Sequence, residues 1–201
     1  MTATLSEQDQ APPREAVLSL RGVGKRFGAV QALNDVHLDV APGEVVALVG
    51  DNGAGKSTLI KIISGVYQPD GGTITFAGRQ VRVGGPSEAQ ALGISTVFQD
   101  LALCDNLDVV ANLYLGREPT GRSTTMDEIE METTSMELLD RLSIKIPSVR
   151  TPVASLSGGQ RQSIAVVRAA MGEPRVVLLD EPTAALGVAQ TAQVLDLITH
   201  V

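Results

Sequence analysis

Gly50-Asp51-Asn52-Gly53-Ala54-Gly55-Lys56-Ser57-Thr58 lies between the apolar run Val45–Val49 and an apolar helix pattern that begins at Leu59. No other stretch restricts the possible folds so severely. Strand, glycine-rich turn and helix is the context in which G-x-x-x-x-G-K-[ST] denotes a phosphate-binding loop. The glycines let successive backbone N–H groups turn inward as a nest for phosphate oxygens. The helix that follows presents the positive end of its dipole to the same anion. Lys56 is expected to reach the β- and γ-phosphates, and the Ser57 hydroxyl to hold Mg²⁺. An ordinary glycine-rich turn is the alternative. By itself the loop implies a bound nucleoside triphosphate and nothing further.

The 201 residues suit one domain, or one domain with a smaller subdomain. Hydrophobic residues make up 43% and aromatic residues only 2%, with no Trp, so the core must be built from Val, Ile, Leu and Ala. A net charge of −7 argues against a general nucleic-acid coat, which gains from counterion release at a basic surface. Cys104 stands alone, which excludes an internal disulfide framework and suits a reducing compartment. No apolar run approaches the ~20 residues of a membrane helix. Met1–Ala16 is polar, contains Pro12-Pro13, lacks the apolar segment of a signal peptide and reads as a disordered leader. The expectation is a soluble cytoplasmic α/β protein.

Alternation predicts a strand at Val17–Val23, a turn-rich ribbon over Gly22–Gly28, and an antiparallel strand at Val36–Val40 with His37 on its solvated face. Leu59, Ile60, Ile62, Ile63 and Val66 predict a buried helix closed near Gln68–Gly72. Short strands are expected at Thr73–Ala77 and Gly93–Phe98, the second delivering Gln99 at its end. From Asp100 to Ala154 helical patterns dominate: Val109–Leu115, then Met126–Leu142 with Met126, Ile129, Met136, Leu139 and Leu142 near one face. The acidic residues of the second helix read as a solvated face or as a docking surface. The continuous run Val176–Leu179 suits a strand buried on both faces, and a helix through Val194, Leu195, Leu197 and Ile198 follows.

That apolar strand ends in Asp180-Glu181. At such a position the first carboxylate helps hold Mg²⁺ through its water shell, and Glu181 is placed to orient and partly deprotonate an attacking water. Plain helix N-terminal charge is the alternative. Ser157 and Gln160 have capping-box spacing, and Gly158-Gly159 beside a helix start leave N–H groups open as a second anion site. Two phosphate-binding helix ends and one nucleotide loop suggest that the second end serves another protomer's nucleotide. A capped helix start that needs no ligand is the alternative.

In order and spacing, the phosphate loop, Gln99, Leu156-Ser157-Gly158-Gly159-Gln160-Arg161-Gln162 and Val177–Thr183 resemble the ATP-binding cassette (ABC) ATPases, over nearly the whole sequence from about Val17. The resemblance implies an α/β P-loop NTPase core with an antiparallel β subdomain and an inserted α-helical subdomain. Its parts would be a leader (1–16), the first part of the core (17–99), the helical subdomain (100–154), and the signature, Walker B and D-loop part (155–201). ATP and Mg²⁺ are the implied cofactors, with Ser57, Gln99 and Asp180 around the metal and Glu181 as catalytic residue. A head-to-tail dimer is implied, in which Ser157, Gly158, Gly159 and Gln160 meet the nucleotide held by the other protomer's Gly50–Thr58. Phe27 matches the aromatic that stacks on adenine; core packing is its alternative.

Gly65–Gly72, Thr96–Leu107 and Leu115–Glu118 are similar to the simple-sugar importers of the ribose, xylose and fructose type. This likeness implies an ATP-binding subunit that couples ATP binding and hydrolysis to carbohydrate import, peripheral on the cytoplasmic face of the cell membrane. Its implied partners are a transmembrane permease and, indirectly, an external sugar-binding protein, with no nucleic acid. Two departures stand out. Gly187 replaces the family's usual Asp, which weakens the cross-dimer contact expected of the D-loop. His200 is too close to Glu181 and lies in a helical pattern, so it is rejected as the family's switch histidine. The strand carrying that histidine belongs between the Walker A and Walker B strands. The core is therefore expected to be incomplete and the sequence truncated at its C-terminus. A soluble non-transport ABC ATPase, and an ATP-binding fragment without turnover, are the alternatives.

Overall fold

Leu18, Leu20 and Val23 are buried and form the inner face of β1 (Leu18–Phe27). The computed structural model describes residues 15–120, 126–183 and 186–200. Its contacts divide the protein into two units, Met1–Ile63 with Tyr67–Val83, and Ser64–Val66 with Gly84–Val201.

In the first unit, β1 pairs antiparallel with β2 (Val30–Val40) and, after α1 (Lys56–Ile63), with β3 (Gly71–Phe76), which pairs with β4 (Arg79–Val81). The sheet order is β2-β1-β3-β4. Leu20 faces Leu38 on one side and Ile74 on the other. The expected turn ribbon over Gly22–Gly28 is instead largely part of β1. Register shifts on either side of Val23 absorb the glycines as bulges, and the backbone turns only at Gly28-Ala29. Both strands therefore run longer than alternation alone suggested. His37 is exposed on β2, 3.0 Å from Asp35 Oδ1.

The expected strand at Val45–Val49 does not form. These residues form no regular element and no ladder, and Val45 and Val49 are 68% and 88% exposed. A run this apolar becomes an interior strand only when neighbours pair with it, and none of the described strands does. Leu59, Ile60, Ile62 and Ile63 of α1 are buried as expected, but Val66 lies beyond the helix end and is exposed.

The second unit contains α2 (Pro86–Leu92), β5 (Ile94–Val97), α3 (Val109–Tyr114), α4 (Glu128–Arg141), a 3-10 turn at Val153–Ser155, α5 (Gly158–Ala170), β6 (Val176–Leu179) and α6 (Val188–His200). Strands β5 and β6 pair in parallel, from Ile94 opposite Val176 to Val97 opposite Leu179. Helix α2 went unanticipated although it is well punctuated. Pro86 opens it, and Gly93 closes it in the left-handed region with its N–H donating to Gln90 O. Helix α5 is the hub of the packing. Its Ile164 and Val167 join a cluster with Val110, Leu113, Met131 and Leu139, while Ala165 and Ala169 pack with Val97.

Of the face expected on helix α4, Leu139 and Leu142 lie against the core and the other three residues do not. Met131, Ser135 and Leu139 face the core, whereas Met126, Ile129 and Met136 are exposed, Ile129 by 81%. Residues 131, 135, 138, 139 and 142 fit the helical period as well as the expected set does, and Asp127 caps the helix through Glu130 N–H at 3.0 Å. Part of the acidic face is met by Arg150, whose guanidinium donates to Glu132 at 2.7 Å. Leu139→Ala should therefore cost about 2–4 kcal/mol in urea unfolding, and Ile129→Ala no more than about 0.5 kcal/mol. A cost at Ile129 comparable to that at Leu139 would restore the face expected from the sequence.

Candidate nucleotide-binding site

The phosphate loop lies wholly in the first unit. Gly50, Gly53 and Gly55 all have positive φ, and Gly55 shows why the residue type matters. With φ at +88°, a Cβ there would stand 2.5 Å from Ala32 O and 2.8 Å from Leu33 Cδ2. Only glycine lets the loop approach β2 so closely. Asp51, Asn52, Gly53 and Ala54 are exposed, and Gly55, Lys56, Ser57 and Thr58 are half-buried. The N–H of Ala54 donates to Asp51 O at 3.1 Å, and that of Leu59 to Gly55 O at 2.9 Å as α1 begins. Lys56 arches back over the loop, its Nζ donating to Gly50 O at 2.8 Å and Asp51 O at 2.9 Å. Its charge is therefore held against the loop's own backbone. Phe27, the last residue of β1, is 43% exposed and lies edge-on to Tyr67, with ring centroids 5.2 Å apart.

The carboxylates lie in the second unit. The β5–β6 ladder continues one step past the strands, with Asp180 N–H donating to Val97 O at 2.9 Å. Asp180 and Gln99 thus leave the carboxyl ends of two neighbouring parallel strands. Asp180 is half-buried; Gln99 and Glu181 are exposed. Glu181 has φ +50°, a left-handed conformation that a non-glycine residue adopts at a cost of about 1–3 kcal/mol and that concentrates at working sites.

Ser157 caps α5 with a complete capping box. Its Oγ accepts from Gln160 N–H at 3.2 Å, and Gln160 Oε1 accepts from Ser157 N–H at 2.9 Å. Gln160 Nε2 also donates to Lys145 O at 2.9 Å, so this amide holds the helix start in place. Gly158 is exposed in the first turn, while Gly159 is buried, with only 3.1 Å between a Cβ there and Gln190. Gly187, in the position of the expected Asp, precedes α6 and donates its N–H to Gln190 Oε1 at 3.2 Å. Ala184 and Ala185 lie outside the described residues. His200 ends α6, in keeping with its rejection as a strand-borne switch residue.

Three polar residues that sequence reasoning passed over organise this unit. Arg168 on α5 donates to the carbonyls of Ala102 at 2.9 Å and Leu101 at 3.3 Å, just after Gln99. Arg117 donates to Arg168 O at 2.6 Å and Met171 O at 3.1 Å. Burial lowers the pKa of both guanidinium groups, and in Arg117 the charge of Arg168 adds to the effect. Asn112, fully buried, accepts from Cys104 N–H at 2.7 Å and donates to the carbonyls of Cys104, Leu107 and Asp108. The available signal was an Asn inside the apolar run Val109–Leu115 and an Arg within the apolar pattern of α5.

A P-loop nucleotide-binding cassette is the class that this loop, these strand ends and the capped glycine turn define. The ABC transporter family matches residues 33–184, and the chain belongs to that family. It is 49% identical over 181 residues to the xylose/arabinose import ATP-binding protein XylG of Sulfolobus acidocaldarius, covering 90% of this chain and 72% of that protein. It is 44% identical over 195 residues to the fructose import ATP-binding protein FrcA of Rhizobium meliloti, covering 94% and 75%. Against the ribose import ATP-binding protein RbsA 1 of Rubrobacter xylanophilus it is 44% identical over 90% of its length but spans only 36% of the relative. Among solved structures, a nucleotide-free ATP-binding cassette from an ABC transporter superposes with a TM-score of 0.80 at 26% identity, over 92% of this protein and 76% of that one. A dimeric cassette in a post-hydrolysis state bound to ADP and Pi gives 0.73 at 27% identity, over 90% and 81%.

Gly55→Ala should weaken binding of a fluorescent ATP analogue by about tenfold or more, an estimate from the backbone shift that a contact this short imposes. A near-normal affinity would show that the loop has another way past Ala32.

Proposed function

We propose that the protein is the ATP-binding subunit of a carbohydrate importer, peripheral on the cytoplasmic face of the membrane and driven by ATP binding and hydrolysis. The observation that carries the reading is identity of 44–49% over 90–94% of its length to proteins named for xylose/arabinose, fructose and ribose import. Because those names span several sugars, the choice of sugar is assigned to a transmembrane permease and, indirectly, to an external binding protein. Among the described residues no helix is long and apolar enough to cross a membrane, so the permease would supply the passage. The segment 100–154 is the helical subdomain in this reading, and the net charge of −7 speaks against nucleic acid as a partner.

In this reading the backbone N–H groups of Gly50–Thr58 bind the β- and γ-phosphates, Lys56 neutralises them, and Phe27 stacks on adenine. The residues assigned to Mg²⁺ in this reading, the Ser57 hydroxyl, the Gln99 carboxamide oxygen and the Asp180 carboxylate, are each hard oxygen donors, a chemistry that suits an ion that keeps several of its waters. The metal would supply neutralisation of charge on the phosphate oxygens. Glu181 orients a water and takes its proton. Ser157, Gly158, Gly159 and Gln160 of a second copy meet the γ-phosphate. The capping box takes the N–H groups of Ser157 and Gln160, so the backbone donors in this reading are those of Gly158 and Gly159. The dimeric relative bound to ADP and Pi supports such a pairing. Catalysis on this plan is positioning and electrostatics, and dimer closure on ATP supplies the force on the permease.

Glu181→Gln should abolish phosphate release while leaving ATP affinity within about threefold, because the carboxylate acts on water and not on the nucleotide. Co-purification with a multi-spanning permease, and ATPase activity stimulated by it, tests the transport assignment. A pull-down returning ribosomes or DNA would overturn it.

A further inference from the structure

Phe27 closes β1 immediately before the turn at Gly28-Ala29. A half-exposed phenyl ring at a hairpin tip samples several rotamers unless a neighbour restrains it. Tyr67 is that neighbour, packed edge-to-face at 5.2 Å with the ring planes at 68°, the arrangement the ring quadrupoles favour. Lys25 adds a cation 5.6 Å from the Phe27 centroid.

The turn that carries Tyr67 is bound to the end of β1. Lys25 Nζ donates to Gln68 O at 2.7 Å and to Asp70 Oδ1 at 2.8 Å. Arg26 N–H donates to Asp70 Oδ2 at 2.7 Å, and Asp70 N–H to Gly24 O at 2.9 Å. On its other side the turn hangs from α1: Tyr67 N–H donates to Lys61 O at 3.0 Å, and Lys61 Nζ lies 5.7 Å from the Tyr67 centroid. Helix α1 is the element that begins with Lys56 and Ser57. A continuous set of contacts thus runs from the phosphate loop along one short helix to Tyr67 and on to Phe27, all within the first unit.

We propose that Tyr67 is a positioning residue for the nucleotide base, setting the Phe27 ring at a fixed distance from the phosphate loop. The inference rests on the reading of Phe27 as the platform for adenine. Its contribution comes from the aromatic edge and not from the hydroxyl, since the ring contact is what restrains Phe27. It concerns the base alone, since the phosphates are met by backbone N–H groups and Lys56. Because stacking is indifferent to base edges, ATP and GTP should depend on Tyr67 alike.

The test is calorimetric titration of the full-length protein with MgATP and, separately, with magnesium and inorganic tripolyphosphate, which has no base. In Tyr67→Ala the expected result is a loss of ATP affinity of about fivefold or more, with tripolyphosphate within about twofold of the parent. Tyr67→Phe should match the parent for both. Tyr67→Leu keeps the bulk, loses the aromatic edge and should show the same split, so it serves if the alanine variant lacks a cooperative thermal transition. Equal losses for ATP and tripolyphosphate would reduce Tyr67 to support for α1 and overturn the proposal. Unchanged ATP affinity in Tyr67→Ala, with a loss in Phe27→Ala, would overturn it while sparing the platform. Unchanged ATP affinity in Phe27→Ala would overturn the platform itself.

Discussion

A triphosphate is held by backbone that turns inward more tightly than a side chain permits, and in this molecule that demand falls hardest on Gly55. Its α-carbon lies so near Ala32 O that a methyl group would have to occupy space within 2.5 Å of it. The position of the loop is therefore set by β2, and the position of β2 by its ladder with β1. Strand β1 is paired on both sides, which makes the antiparallel sheet the reference frame for the phosphate nest. Lys56 completes the arrangement by bonding to the loop's own carbonyls, so its ammonium is already held at the loop. A cation held in place beforehand loses less entropy when an anion arrives than one gathered from solvent.

In the second unit the corresponding frame is α5. Its first turn presents the capped Ser157 and two glycines, and its buried face belongs to two apolar clusters. Near its other end Arg168 grips the carbonyls that follow Gln99. An arginine bound to carbonyls in a half-buried site retains its charge at neutral pH even with its pKa lowered. Asn112 satisfies the next few backbone groups of the same segment. The stretch after Gln99 is therefore tied to the helix that carries Ser157, and a shift of one cannot be absorbed by slack in a loop between them.

What could be read from the sequence was what short-range chemistry dictates. The phosphate loop, the Ser157–Gln160 capping box and the apolar strand ending at Asp180 each depend on residues within a few positions of one another. Relations between distant residues stayed hidden. Arg168 and Ala102 are 66 positions apart, and nothing local marks Tyr67 as the neighbour of Phe27. The face of α4 was right only at Leu139 and Leu142, because two sets of residues fit its period and only the tertiary neighbours choose between them. Val45–Val49 was expected to be a strand because it is an apolar run leading into the phosphate loop, but a strand is a relation between segments, and here that run has no described partner. Helix α2 was missed for a different reason: Pro86 and Gly93 marked both of its ends, and only the weak apolar pattern between them concealed it.

On its proposed role, Glu181 shows how the requirements of turnover differ from those of binding. Binding asks for glycine wherever the backbone is left-handed, and the phosphate loop complies at Gly50, Gly53 and Gly55. Glu181 is also left-handed, at φ +50°, where glycine would be far less strained. Glycine would bring no carboxylate. The strain, on the order of 1–3 kcal/mol, is offset by the ladder that fixes the residue before it, through Val97 and Leu179 and the Asp180 N–H bond to Val97 O. The paired strand end fixes the backbone from which the exposed Glu181 side chain leaves. On the proposed role of Glu181 as the base that meets a water, a carboxylate at this strand end would outweigh that strain.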